Sequence, residues 1–260
     1  MPATRSAGRR GRLPVKPPAE RFKIQYLSSY LSTPLPAPVY PVDVSAGITD
    51  WGMLGNGPDP NLPEYPQGLS DCTFAGRQHY RMAKAAASGE EEQWETCEAL
   101  AAEYLAYDHN QDMGANIAEL LLFWYQKGTI LAFAPLDHTN AGEVDAAMAA
   151  FHGAYVGVNL TGDANQLFAA HEPWTVANGE QADPNDSHCI VKVAADGSQF
   201  DSWVTWGGIQ RSTLAWTQAC LQEAWVIITE EDAQAVSLDV TKLLADINAL
   251  HGTGSPGVLS

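Results

Sequence analysis

Cys72 is the residue of this chain whose surroundings best suit nucleophilic chemistry. It follows a loop rich in Gly and Pro that ends in residues 67–71 (QGLSD), and it begins a run typical of a helix. A thiol at the start of a helix feels the positive end of the helix dipole, which lowers its pKa and favours the thiolate. The alternative is a small buried hydrophobic residue, because free cysteine is among the most buried residue types.

His188 is the histidine whose position best suits a base for that thiol. It follows the polar residues 183–187 (DPNDS) and begins the apolar stretch 189–194 (CIVKVA). A histidine at such a junction is well placed to face a cleft while its strand anchors it, although a lone histidine is more often structural. A cysteine followed by a histidine about 115 residues later fits thiol hydrolases, in which the pair meets in space rather than in sequence.

Several segments around these two residues resemble the papain-like cysteine peptidases, in the family's order, across roughly residues 48–230. They are the segment from Gln67 to Cys72, residues 112–115 (DMGA) with 127–130 (KGTI), residues 143–160, His188 with its strand, and residues 204–207 (VTWG). The chain is also similar to a group of predicted bacterial and bacteriophage proteins. Their Gly-Met-Leu-Gly-Asn and Asp-Cys-Thr motifs match residues 52–56 and 71–73.

This resemblance implies a papain-like α+β fold of two lobes, the first helical and the second an antiparallel sheet. It also implies a thiol hydrolase, a cysteine peptidase or amidase, with Cys72 as nucleophile, His188 as base and Gln67 as donor to the oxyanion. Gln67 lies one residue closer to the cysteine than the family's glutamine does, and Asn56 is a competing donor.

The residue that would orient the histidine ring departs from the family pattern. The family has an asparagine there, and the spacing from His188 places Val204 at that position. Valine has no group that accepts a hydrogen bond from the ring N–H. Asp201 or Ser202 would take the role only if the strand register allows it, so the sequence leaves catalytic activity open.

Hydrophobic periodicity supplies the elements that must position these residues. It predicts helices first and strands afterwards, which is typical of segregated α+β layers. The predicted helices cover residues 72–87, 95–107, 117–127, 143–151 and 240–250, and the predicted strands cover 154–160, 189–194, 200–206 and 224–228.

Composition excludes several classes of protein. The 260 residues are 45% hydrophobic and 9% aromatic but only 17% charged, which excludes wholesale disorder. No apolar run approaches the roughly 20 residues that a membrane span needs. The four cysteines form no C-x-x-C pair, so zinc-ribbon and thioredoxin-like sites are excluded, and the thiols are expected to be reduced. Histidines and acids near 108–112 and 137–138 lack fixed ligand spacing, so we expect neither a metal nor a cofactor.

Charge divides the chain into a basic arm and an acidic body. Residues 1–23 carry a net charge of +6 and the rest carries −23. The body repels nucleic acid and anionic membranes, so contacts with acidic partners are expected through the arm. Prolines at 34, 36, 38 and 41 predict an extended strap. The expected divisions are therefore the arm (1–23), the strap (24–47), the papain-like domain (48–233) and a C-terminal amphipathic helix with its tail (234–260).

Two functions are consistent with these features. The first is the thiol hydrolase, acting on a peptide or amide substrate, of which a virion-associated enzyme is one version. The second is a catalytically impaired papain fold that serves as a structural, decoration or binding protein of a bacteriophage particle, because fold does not dictate function. In that case the N-terminal arm would anchor it to capsid or tail proteins, or to the chain's own acidic body.

Overall fold

The computed structural model describes residues 10–13, 24–89 and 94–251. In these ranges a short 3-10 helix covers Leu27–Tyr30. The α-helices are α1 (Cys72–Ser88), α2 (Cys97–Tyr107), α3 (Ile117–Gln126), α4 (Ala141–Phe151), α5 (Ala164–Ala170), α6 (Leu214–Cys220), α7 (Glu230–Ala235) and α8 (Val240–His251). None of them combines the length and the apolarity that a membrane crossing requires.

Side-chain caps explain where most of these helices begin. An oxygen of the residue before the helix accepts a hydrogen bond from a backbone N–H of the first turn, which satisfies a donor that the helix itself leaves unpaired. These capping residues are Thr96, Asn116, Asn140, Thr213 and Thr229 for α2, α3, α4, α6 and α7.

The strands form one antiparallel sheet. They are β1 (Val42–Asp43), β2 (Ala132–Leu136), β3 (Ala154–Thr161), β4 (Ala182–Ala195), β5 (Phe200–Thr205), β6 (Gly208–Thr213) and β7 (Leu221–Ile228). The strand order is β2-β7-β3-β4-β5-β6, and β1 pairs with β4 outside this path. In the register of β3 with β4, Val158 lies opposite His188, so the candidate base lies on a central strand rather than at an edge.

Helix α1 carries Cys72 and packs directly on the central strands. A Cβ added at Gly76 would lie 3.0 Å from the Tyr155 ring and 3.1 Å from the Cys189 sulfur, so the glycine permits close approach of the helix. The Tyr155 hydroxyl donates a hydrogen bond to the Thr73 carbonyl oxygen at 2.7 Å. The first turn of α1 is therefore fixed against β3 and β4, next to the strand that carries His188.

The observed elements confirm the predicted α+β class and the antiparallel sheet, and the five predicted helices are all present within a few residues. One expectation is wrong: residues 72–151 are not purely helical, because β2 (Ala132–Leu136) lies among these helices and pairs with β7. The sequence also missed the short β1, the strand β6 and the helices α5, α6 and α7. The division into two lobes stays a prediction.

Residues 24–47 lie against the body of the same chain. Leu27 and Tyr30 are buried, and the Tyr30 hydroxyl donates a hydrogen bond to Asp246 on α8 at 2.8 Å. Further along, the Tyr40 hydroxyl donates to Asp145 at 2.7 Å before β1 joins the sheet. This segment includes the 3-10 helix and the short β1, and the extended strap that the prolines predict stays a prediction. Most of the arm (residues 1–9 and 14–23) lies outside the described residues, and the domain boundaries stay predictions.

Candidate active site

Cys72 is the first residue of α1, where the sequence placed it. The preceding loop turns tightly: Gly68 has a φ of +75°, and a Cβ there would overlap the backbone of Gly57. The Cys72 side chain is 1% exposed, and its sulfur accepts a hydrogen bond from the Cys189 backbone N–H at 3.4 Å. Because Cys189 directly follows His188, the fold brings the nucleophile and the base strand together.

His188 is buried on β4 and its two ring nitrogens have different surroundings. Nε2 lies 2.8 Å from the Thr205 hydroxyl oxygen at the end of β5. Nδ1 has no hydrogen-bond partner among the described residues. In the tautomer whose Nε2–H donates a hydrogen bond to the Thr205 oxygen, Nδ1 carries the free lone pair that a general base requires. The ring is thus held at one nitrogen and left available at the other.

Trp206 covers the His188 ring. The two rings are stacked, with centroids 4.9 Å apart and an angle of 26° between their planes. Phe168 and Trp174 contact Trp206 edge to face and fix its position. This aromatic cover keeps water from the bond between His188 and Thr205, and a hydrogen bond is electrostatically stronger in such a low-dielectric place.

Thr205, not Val204, therefore contacts the imidazole, and sequence reasoning missed it. Val204 lies opposite Val191 in the sheet and is completely buried. Asp201, one of the substitutes considered, is committed elsewhere: it pairs with Lys192 at 2.7 Å and accepts a hydrogen bond from Thr217 at 2.6 Å. The sequence did contain a signal for this role: Thr205, directly after Val204, has a hydroxyl that can accept a hydrogen bond from the ring.

The two candidate oxyanion donors differ in their surroundings. The Gln67 side chain is exposed, whereas Asn56 is 2% exposed. The Asn56 amide nitrogen donates to the Leu69 carbonyl oxygen at 3.3 Å, which places it beside the loop that leads into Cys72. An asparagine amide has two N–H groups, so this bond leaves one of them available.

Residues 10–13 of the basic arm lie across this site. Gly11 accepts a hydrogen bond from the Ala115 N–H at 2.8 Å, and Leu13 donates one to the Ala115 oxygen at 2.9 Å, as in a parallel strand pair. The Gly11 N–H faces the Cys72 sulfur. The Gly11 carbonyl oxygen accepts its hydrogen bond from Ala115, so the group that Gly11 presents to the thiol is its N–H.

The arm also brings two arginines to the site. Arg10 lies 4.8 Å from the centroid of the Trp206 ring and pairs with Asp186 at 2.5 Å. Arg12 is almost completely buried and pairs with Glu223 at 2.7 Å. Both acids belong to the body of the same chain, as one of the two expectations for the arm proposed.

Burial determines the protonation of Cys72 and His188 in this state. It raises the pKa of the Cys72 thiol to about 12, although the Cys189 and Gly11 N–H groups act in the opposite direction. Burial, followed by the charges of Arg10 and Arg12, holds the pKa of His188 well below its usual range. The lowering that the helix start predicts for Cys72 is thus outweighed by the loss of solvent. Both groups are neutral while residues 10–13 cover them.

The other three cysteines are also buried and unpaired, so the described residues contain no disulfide. Within residues 10–13, 24–89 and 94–251, no three His, Cys, Asp or Glu side chains are grouped closely enough to hold a metal ion. In the described residues, Cys72 with His188 is therefore the arrangement with the clearest chemistry.

Comparison with known proteins supports the fold. No protein-family model matches the chain, and no curated protein matches its sequence. Among solved structures the chain is similar to xylellain, a cysteine protease from Xylella fastidiosa, with a TM-score of 0.56 and 11% sequence identity. The similarity covers 88% of this chain and 98% of xylellain. The chain thus has a papain-like cysteine peptidase fold, as the resemblance implied, whereas the closeness to bacteriophage proteins stays a prediction.

Proposed function

We propose that the protein is a thiol hydrolase that cleaves peptide or amide bonds, with Cys72 as nucleophile and His188 as base. The observation that carries the proposal is the hydrogen bond from the Cys189 N–H to the Cys72 sulfur, because it places a thiol at a helix start beside the base strand. The fold that the chain shares with a cysteine protease supports the same reaction class.

The reaction follows from the two ring nitrogens of His188. Nδ1 takes the proton of Cys72, and the sulfur attacks the carbonyl carbon of the substrate. The Thr205 hydroxyl oxygen accepts a hydrogen bond from Nε2–H and so stabilises the imidazolium. The Cys72 backbone N–H, with a side-chain amide from Asn56 or Gln67, stabilises the oxyanion. His188 then protonates the leaving amine, the C–N bond breaks, and the acyl group stays on the sulfur as a thioester. Water, deprotonated by the same ring, attacks the thioester carbon; the C–S bond breaks, the acid leaves, and the ring returns its proton to the sulfur.

In this proposal the described state is latent. Residues 10–13 exclude substrate, present an N–H to the sulfur and keep both catalytic groups neutral. Activity therefore requires this segment to leave. Gly11 offers a means to make it leave in the full chain: a Cβ at this position would overlap the Ser70 carbonyl group, so Gly11→Ala cannot keep the bound position.

The test uses the full chain and its Gly11→Ala variant with a peptidyl epoxide and with a fluorogenic peptide mixture. We expect one adduct, on Cys72 and not on the other three buried cysteines, and hydrolysis that Cys72→Ser and His188→Gln abolish. Intact mass and peptide mapping locate the adduct. If a folded Gly11→Ala protein gives neither adduct nor hydrolysis, the hydrolase is excluded and a binding module remains.

That binding module, with its anchorage in a phage particle through the arm, stays a prediction. The described arginines of the arm contact Asp186 and Glu223 of the same chain, which favours a segment that covers the site over one that holds a partner.

A further inference from the structure

The Arg12 side chain lies in a closed pocket beside the candidate active site. The side chain is 1% exposed and that of Glu223 is 9% exposed, and one guanidinium nitrogen lies 2.7 Å from a carboxylate oxygen of Glu223. The other terminal nitrogen donates to the Asn159 side-chain oxygen at 2.9 Å and to the Val158 carbonyl oxygen at 3.3 Å. Each of these groups is an acceptor, so the pocket is complementary to a cation with several N–H groups.

The pocket is built by two neighbouring strands of the sheet. Gly157 on β3 lies opposite Glu223 on β7. A Cβ at Gly157 would lie 2.8 Å from Arg12 and from Glu223, so the glycine provides the space that the guanidinium stem occupies. The Trp225 ring N–H donates to the second carboxylate oxygen of Glu223 at 2.9 Å. This bond fixes the carboxylate with its first oxygen directed at the guanidinium.

The carboxylate of Glu223 needs a cation in this position. A buried charge without a partner is costly, and removing one member of a buried pair leaves that cost uncompensated. When residues 10–13 leave, Glu223 stays fixed by Trp225 at the wall of an emptied pocket. A second cationic side chain that enters on an extended peptide would restore the pair.

The backbone beside the pocket is suited to such a peptide. Ala115 makes two backbone hydrogen bonds with Gly11 and Leu13, the residues on either side of Arg12. Peptides that bind along an extended edge obtain affinity from such main-chain bonds and specificity from the pockets that receive alternate side chains. Because Gly11 lies over the Cys72 sulfur, the pocket receives the side chain one residue away from the point of attack.

We infer that Glu223, with Asn159 and Gly157, forms a specificity pocket for an arginine side chain of the peptide substrate, next to the residue at Cys72. The inference rests on the proposed function and adds the substrate class. Arginine is favoured over lysine because its planar fork reaches Glu223 and Asn159 together, whereas an ammonium group is a single point charge.

The first test measures binding without catalysis. The full chain with Cys72→Ser and Gly11→Ala is titrated with a fluorescent peptide of the sequence of residues 8–15 (GRRGRLPV). In matched peptides, the arginine that corresponds to Arg12 is replaced by citrulline, lysine or norleucine. Citrulline keeps the size of arginine and removes its charge. We expect it to weaken binding at least about tenfold, because the buried carboxylate of Glu223 then has no cationic partner.

A variant of the pocket completes the test. Glu223→Gln should bind the arginine and citrulline peptides equally, whereas Glu98→Gln, a surface control, should keep the preference. Equal binding of arginine and citrulline by the unaltered pocket overturns the inference, and this comparison does not depend on how the Glu223 variant folds. A preference that persists in folded Glu223→Gln also overturns it.

Hydrolysis separates this inference from the proposed function. Gly11→Ala with Cys72 intact is given a peptide library, and the cleaved bonds are mapped by mass spectrometry. We expect arginine at one constant distance from the cleaved bond. Cleavage without a basic preference overturns the pocket and leaves the hydrolase, whereas selective binding without any cleavage overturns the hydrolase and leaves the pocket.

Discussion

His188 and Thr205 are joined by a contact of 2.8 Å between the ring Nε2 and the hydroxyl oxygen. In the proposed hydrolase, Thr205 takes the place that an asparagine has in the family that the sequence resembles. A hydroxyl rotates to suit its partner, so it accepts from the ring N–H without a fixed amide orientation. In the proposed mechanism, Thr205 supplies the hydrogen-bond acceptor that its neighbour Val204 lacks.

Thr205→Val should lower kcat in the Gly11→Ala background by about one to two orders of magnitude, which is no more than the lower end of the roughly 10²–10⁴ that general base catalysis itself contributes. Valine has the same shape but cannot accept a hydrogen bond from Nε2–H, so the imidazolium is less stable. Thr205→Ser should restore most of kcat. The pH profile of kcat/KM distinguishes the roles: a merely structural threonine would change the melting temperature and leave the profile in place.

How much of the site could be predicted depends on what each contact requires. Cys72 and His188 could be selected as candidates because a helix start and a strand start are local patterns. The partner of His188 depends on strand register, and a change of one residue turns the opposite side chain toward the ring, which spacing alone does not resolve. The position of Arg12 depends on a buried acid that lies 211 residues away in the chain.

Gly11→Ala should expose the catalytic thiol. The added Cβ overlaps the Ser70 carbonyl group, so the arm segment cannot stay bound, and Cys72 loses its cover. Alkylation by iodoacetamide, followed by intact mass, should become faster in this variant than in the unaltered chain. Gly142→Ala is the matched control, because its Cβ would meet its nearest neighbour at an ordinary 3.5 Å. Equal rates in all three proteins would show that the segment does not shield the thiol.

The pH dependence of that alkylation should also move. Burial raises the pKa of Cys72 to about 12, so in the unaltered chain the reactive thiolate increases only as the pH rises far above neutral. In Gly11→Ala, water reaches the sulfur and the largest cause of the shift is reduced, so the midpoint should fall to lower pH. The alkylation rate is measured from pH 6 to 10, a range of about four units around the ordinary thiol pKa, for each of the two proteins. Superimposed curves would contradict this prediction.

The fold follows the same division between local and distant causes. The five predicted helices (α1, α2, α3, α4 and α8) are long enough for the sequence to display them directly, whereas α5, α6 and α7, which the sequence missed, have only 7, 7 and 6 residues. Strand β2 is short, contains Pro135 and is recognised by its pairing with β7 rather than by its own residues. Strand β6 follows a two-residue turn that Trp206 and Gly207 form with φ of +46° and +73°. Glycine is favoured in such turns, so Gly207 is a local signal for the hairpin of β5 and β6.

His79 should make the protein sensitive to acid. Burial lowers its pKa to about 4, and its Nε2 lies 3.0 Å from the Trp51 oxygen and 3.1 Å from the Gly52 oxygen. The unfolded chain binds a proton near pH 6.5 and the folded chain does not, so stability is retained above about 6.5 and lost as the pH falls toward 4. The loss from this residue is up to about 3 kcal/mol.

Urea unfolding from pH 7 to 4, about the interval between the two pKa values, measures that loss. His79→Gln keeps an N–H donor for the two carbonyl oxygens and cannot be protonated, so its stability should fall less with acid. The exposed His109 provides a control, His109→Asn, which should behave as the unaltered chain does. If His79→Gln loses stability as steeply as the control, the protonation of His79 is not the cause.

The last prediction concerns which side chain stabilises the oxyanion. Asn56 is buried and bonded to the Leu69 oxygen in the loop before Cys72, whereas Gln67 is exposed. A donor in a dry, fixed position stabilises developing charge more than one in water, because it needs no reorganisation during the reaction. In the Gly11→Ala background, Asn56→Ala should therefore lower kcat by about 10²–10³ with little change in KM. Gln67→Ala should leave kcat unchanged. Asn56→Asp, which keeps the size and removes the N–H donors, separates lost catalysis from lost packing when melting temperatures are compared. A large fall in kcat for Gln67→Ala, with Asn56→Asp active, would instead assign the oxyanion to the glutamine that the family resemblance implies.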